Sequence, residues 1–143
     1  MMAVFQNEEE LYDILGGFFN QLKFDEAIGR EIAASKIVIQ WEYSDPNAKI
    51  TVDASGTDPE GGYFQVILGP TDINPEVYMT MKGDIAHQFW MGKVNLLAAL
   101  SRRQIVAKGP IPKTLKLLPA IAPSYEKYPR YLEERGRGDL ISK

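Results

Sequence analysis

MTMKGDIAHQFWMGKVNLLAALSRRQIVAKGPIPKTLKLLPAI, residues 79–121, is the stretch whose reading decides the fold. It reads as the end of a strand, a turn, two short apolar helices, a second strand and a proline-bracketed helix. Asp84 stands where an N-cap belongs. At 100° per residue Ile85, Ala86, Phe89 and Trp90 share one arc of the first helix, with His87 and Gln88 opposite and exposed. Gly92 stops that helix and Asn95 is placed to cap the next, where Leu96 and Leu100 stack one turn apart. Ser101-Arg102-Arg103 turns the chain into a strand, Gln104–Lys108, which Gly109-Pro110 ends. Pro112 suits the first position of a helix running through Leu118. These apolar side chains are bulkier and more numerous than one small helix pair needs, and no catalytic constellation accompanies them.

Upstream the hydrophobic period is two. Ile37, Ile39, Trp41 and Tyr43 alternate with Val38, Gln40 and Glu42, which predicts a strand with one apolar face. Ser44-Asp45-Pro46-Asn47 is a turn. Further strands follow at Ala48–Ala54, at Tyr63–Leu68 (Phe64, Val66 and Leu68 on one side) and at Glu76–Met81. Short connections argue for antiparallel pairing.

Before the strands, Asn7 and Glu10 have capping-box spacing. Leu11, Ile14, Leu15, Phe18, Phe19 and Leu22 then recur at helical spacing. Gly16-Gly17 weakens that helix by about 1 kcal/mol per glycine relative to alanine, with close approach of a neighbour as the expected compensation. A second helix is expected from Asp25 to Ala34. Downstream, Pro119, Pro123 and Pro129 predict short, angled helices, in which Tyr125, Tyr128, Tyr131 and Leu132 keep one apolar side. Helices precede and follow the strands without alternating with them, so the fold class is α+β with helices on one face of the sheet. The expected organisation is one domain over 1–136 and a flexible polar tail over 137–143.

At 143 residues, 45% hydrophobic and 24% charged, the chain has the composition of a globular domain and not of a disordered one. Without cysteine it has no disulfide or thiolate chemistry. No apolar run approaches the ~20 residues of a membrane span, and no secretory signal is evident, so a cytoplasmic setting is expected. A lone histidine speaks against a transition-metal site. Ser101 and Ser124 have no base arranged for them, and no glycine-rich phosphate loop is present. The expectation is a protein without catalysis, cofactor or metal.

Charge is divided unevenly. Residues 1–92 carry 5 Lys+Arg against 15 Asp+Glu, whereas residues 93–143 carry 11 against 4, for a total of 16 and 19. Either the two parts pack together and neutralise each other, or the basic part forms a rim for an anionic headgroup, coenzyme phosphate or membrane surface. Tyrosines interleave the basic part, but the acidic overall balance argues against nucleic acid.

The strand Val77–Met81, the turn into Asp84, Gly92-Lys93-Val94, the apolar helix ending at Leu100, the polar turn at Ser101-Arg102-Arg103 and the strand ending in Gly109 together resemble the sterol carrier protein type 2 family of lipid-binding domains. The resemblance is clear over Glu76–Ile121; over the N-terminal part it rests on element order. Val94 replaces the family's usual leucine, Pro110 follows the strand-ending glycine, and the tail is proline-rich.

What the resemblance implies is a five-stranded, mainly antiparallel sheet with helices over one face and an apolar tunnel between them. The implied lining takes Phe18 from the first helix, and Trp41, Val66, Leu68, Met79 and Met81 from strands. Phe89, Trp90, Leu96 and Leu100 join it from the central helices, and Leu117, Leu118 and Ile121 from the last part of the stretch. Taken singly, each of these is better accounted for as ordinary core. Lys93, Arg102, Arg103 and Lys113 would hold a headgroup at the mouth, or are solvated surface charges. The implied function is non-catalytic binding and carriage of a hydrophobic ligand: a fatty acid, acyl-coenzyme A, sterol-like molecule or phospholipid. Transient contact with a membrane surface and a homodimer are further options. The alternative is an accessory or dimerisation module, or a substrate-binding subunit of an enzyme acting on lipid-like substrates.

Overall fold

Five strands form the sheet of this computed structural model, which describes residues 3–143. They are β1 (Val38–Ser44), β2 (Ala48–Asp53), β3 (Gln65–Leu68), β4 (Val77–Lys82) and β5 (Ile105–Lys108), in the order β3-β2-β1-β4-β5. Three of the neighbouring pairs are antiparallel and one, β1 with β4, is parallel. The parallel pair arises because the β2–β3 hairpin is added at one edge of β1 before the chain returns along the other. That excursion supplies the long crossover a parallel neighbour requires. Register places Ile39 opposite Val52 and Val77, and Trp41 opposite Ile50 and Met79, so the apolar face predicted by the period of two is continuous across strands.

The helices are α1 (Glu8–Leu11), a π-helical turn (Tyr12–Gly16), α2 (Gly17–Leu22), α3 (Glu26–Ser35), α4 (Gly83–Trp90), α5 (Leu96–Ser101), α6 (Ile111–Leu115), α7 (Leu118–Ile121) and α8 (Ser124–Glu134). α1, the π turn and α2 run on without a break as the single amphipathic stretch that the spacing predicts. The glycine pair is explained by contact: a Cβ on Gly16 would press on the Leu68 side chain, and one on Gly17 would collide with the Tyr131 hydroxyl. That hydroxyl donates to the carbonyls of Asp13 and Ile14, at 3.2 and 2.7 Å, tying α8 to the π turn. The caps expected at Asn7 and Asn95 form, and Asp25 caps α3 in the same way, each accepting from the backbone N–H three residues on.

Three local expectations need correction. Asp84 lies inside α4, whose N-cap is Lys82, and its carboxylate accepts from the Val4 N–H at 2.8 Å. Pro129 does not break a helix but sits within α8, where burial of Tyr128, Tyr131 and Leu132 holds the segment helical around the missing donor. The residues expected to fray after Gly136 fold back instead. Gly138–Ser142 forms a turn of 3-10 helix with the Leu140 side chain fully buried.

His87 is the largest departure. It is fully buried, with Nδ1 2.8 Å from the Tyr128 hydroxyl and Nε2 2.8 Å from the Leu140 carbonyl. A carbonyl only accepts, so Nε2 carries the proton and Nδ1 accepts from Tyr128. Burial pushes the His87 pKa down, against the raising influence of the Leu140 contact and Asp84. Helix spacing alone faced His87 outward; the returning tail covers that side.

Candidate functional site

Between the helix-covered face of the sheet and α4 to α7 lies an apolar cavity of about 80 Å³. The floor is the inward face of the sheet, with Ile39, Trp41 and Tyr43 of β1 in succession and Met79 and Met81 beside them. Phe19 stands at one wall and packs on Trp41 (ring centroids 5.1 Å apart) and edge-on to Trp90 (5.2 Å). Leu117, Leu118 and Ile121 close the outer side, and each of them is only partly buried. α7 contributes no fully buried residue, so this wall is the least anchored.

An outer groove of about 370 Å³ adjoins the cavity and shares Phe89, Leu96 and Leu118 with it. Val94, Leu97 and Tyr125 complete its apolar surface, and Leu97 is 61% exposed.

Of the side chains named from the sequence, Trp41, Met79, Met81, Phe89, Trp90 and Leu96 are brought together around the cavity, as are Leu117, Leu118 and Ile121. Phe18, Val66, Leu68 and Leu100 lie outside its lining. Phe18 turns away to pack against Trp90, Tyr128 and Tyr131 with centroids 4.9–5.6 Å apart. Leu68 rests over Gly16 on the edge strand that also carries Val66, and Leu100, near the end of α5, is partly buried against the core. Phe19, one residue from Phe18, takes the inward position. The alternation that marked β1 also held the signal for Ile37, Ile39 and Tyr43, which line the cavity. Thr114 lines it as well, and nothing in the sequence marked it.

The basic residues do not form one cluster around a mouth. Lys113 pairs with Glu76 at 2.7 Å. Lys93 is exposed and directly precedes the Val94-Asn95 segment of the outer groove. Arg102 and Arg103 are exposed at the far end of α5. Among the described residues, no group of three His, Asp or Glu side chains is placed to hold a metal ion, and no helix is long and apolar enough to cross a membrane.

No protein-family model matches the sequence, and no curated protein does. Solved structures do match the fold. Sterol carrier protein 2 from Yarrowia lipolytica, in its apo form, superposes with a TM-score of 0.57 at 14% identity, over 90% of this chain and 94% of that one. Sterol carrier protein domain 2 of Helicoverpa armigera gives 0.57 at 14% identity, over 82% and 87%. The fold is that of a sterol carrier protein 2 domain. The same likeness reaches a segment of a larger protein: the sec-alkyl sulfatase PisA1 superposes with a TM-score of 0.56 at 14% identity over 72% of this chain. This chain spans only about 15% of the sulfatase's length. The sterol-carrier-like fold therefore occurs both as nearly a whole chain and as one part of a longer one.

Proposed function

We propose that the protein binds and carries a hydrophobic ligand, without catalysis, in the cavity between the sheet and α4–α7. The observation that carries this reading is an almost wholly apolar interior space next to a loosely anchored helical wall. Each ligand methylene moved from water into such a site contributes about 0.8 kcal/mol, before the costs of association. The space is smaller than an acyl chain, so loading displaces α6 and α7 outward and lets Met79 and Met81 adjust their flexible side chains. Fatty acids, acyl-coenzyme A, sterol-like molecules and phospholipids are the candidate ligands, selected loosely because apolar contacts discriminate poorly between similar chains. Lys93, at the outer groove, is the cation best placed for a charged headgroup.

In this reading the protein works from the cytoplasm and meets a membrane surface briefly, with exposed Leu97 leading. The second reading is an accessory or dimerisation module, or a substrate-binding subunit of an enzyme acting on lipid-like substrates; its support is the occurrence of this fold as one part of the sec-alkyl sulfatase. Native mass spectrometry of gently purified protein, with displacement of a neutral fluorescent acyl ester, separates the two. Carriage predicts a saturable site of one ligand per chain. A dimer that binds no probe supports the module.

A further inference from the structure

Residues 85–125 carry six Lys+Arg (Lys93, Arg102, Arg103, Lys108, Lys113 and Lys116) and no Asp or Glu. This stretch supplies all but the start of α4, the whole of α5 to α7, and the outer groove. Of the six, only Lys113 has a carboxylate within ion-pair distance among the described residues. The fold brings three of the others to the two ends of one short helix. Lys93 stands two residues before Asn95, the N-cap of α5, and Arg102 and Arg103 follow its last residue, Ser101. All three are exposed. A helix of this length spans about 9 Å, so these cations bracket whatever α5 presents between them.

What it presents is Leu97, at 61% the most exposed large apolar side chain among the described residues. Beside it the groove continues the apolar surface through Val94, Pro119 and Tyr125, and shares Phe89, Leu96 and Leu118 with the cavity. A projecting leucine, a tyrosine and flanking cations suit a bilayer interface: the leucine enters the acyl boundary, the phenol stays at headgroup level, and Lys and Arg meet anionic heads. A second copy seated on the same face would set like charges against each other across a two-fold axis. A nucleic acid would match the cations but leave Leu97 and the groove without an apolar partner.

We propose that α5, its flanking cations and the outer groove form a docking face for membranes that contain anionic lipid. The charge of the chain as a whole is −3, so an anionic surface attracts this face and repels the remainder, which sets one orientation. In that orientation the groove opens onto the bilayer. The use of the face rests on the carrier reading: a ligand passes between bilayer and cavity past the residues that groove and cavity share.

The test is co-sedimentation of the full chain with phosphatidylcholine vesicles, with and without about 30% phosphatidylserine. Phosphatidylserine should strengthen binding at least tenfold in ~0.05 M salt, and ~0.5 M salt should remove the gain. Each cation at such a surface contributes roughly fivefold, so replacing Lys93, Arg102 and Arg103 together by Gln should bring binding down to the level of phosphatidylcholine alone. Replacing Arg30, Lys36 and Arg130 by Gln removes the same charge elsewhere and should keep most of the gain. Leu97→Asp should weaken binding to the mixed vesicles at least tenfold with an unchanged melting temperature, because its side chain is exposed. Equal binding to the two vesicles, none to either, equal losses in the two triple variants, or full binding by Leu97→Asp would overturn the proposal. So would preference for a single-stranded oligonucleotide over vesicles, or a dimer that Leu97→Asp dissociates. Carriage is read separately, from the neutral acyl ester without vesicles. Saturable ester binding with no preference for phosphatidylserine refutes the docking face alone, and docking without ester binding refutes carriage alone.

Discussion

At the scale of single residues, the buried ionisable groups set how stability responds to conditions. His87 ordinarily titrates near 6.5, and burial lowers its pKa in the fold. Between the two values the unfolded chain binds a proton that the folded protein refuses, so stability falls as pH drops below about 6.5. Asp25, Asp58 and Glu76, held below the ordinary range by their hydrogen bonds and ion pairs against the cost of burial, lose their contribution only at lower pH. Urea unfolding at pH 7.5 and 5.5 should therefore give a lower free energy at 5.5, and equal values would contradict the buried neutral histidine. Lys23 is a second such group. It is 1% exposed, 3.1 Å from Asp58 and 2.6 Å from Glu60. Burial lowers its pKa, but bonds to Glu60 and Asp58 outweigh this and raise it. Lys23→Met leaves the Asp58 carboxylate buried without its cation and should cost about 3–5 kcal/mol in denaturant unfolding. A loss below about 1 kcal/mol would show the pair to be dispensable. Neither residue was legible as buried from the sequence, because each is covered by a segment distant along the chain. Nor could helical spacing separate Phe18 from Phe19, which share the boundary of one apolar stripe.

Elements were far more legible. The period of two located the first three strands, turn residues and Gly-Pro pairs bounded the other two, and the capping residues Asn7 and Asn95 located two helix starts, because these are local effects that tertiary packing reinforces here. The parallel β1–β4 pair was not legible: short turns fix hairpins, but not where a hairpin is inserted. Gly109 shows how a turn is locked. With φ of +108°, it stands where a Cβ would collide with the Glu76 carbonyl. Prolines told less than they promised, since Pro129 is carried inside α8. The outer wall of the cavity, α6 and α7, is made of helices of 5 and 4 residues, too short to be stable without packing. Amide exchange over 111–122 should be faster than in β1 and β4, and a bound acyl ester should slow it selectively. Protection of α6–α7 equal to that of the central strands in the free protein would count against loading through this wall.

Across the whole molecule, the division of charge resolves into contacts between the two parts. Lys113 meets Glu76, Lys127 meets Asp25, Arg135 meets Asp13, and Arg137 meets Glu10. In each the cation comes from the basic C-terminal part and the carboxylate from the acidic N-terminal part, which is the neutralising arrangement. Mostly surface-facing, such pairs are worth about 0–1 kcal/mol apiece, so they orient the closing segments more than they stabilise them. Lys93, Arg102 and Arg103 have no carboxylate partner of this kind among the described residues. The space left between sheet and helices is the property from which the proposed carriage follows. It is tested most directly by titrating the protein with a neutral fluorescent acyl ester, alongside Ile121→Asp in the outer wall. Saturable binding at micromolar concentration, weakened at least tenfold by a desolvated carboxylate in the folded variant, is the result expected. Absence of saturable binding by the unaltered protein, or full binding by a folded Ile121→Asp, would contradict it.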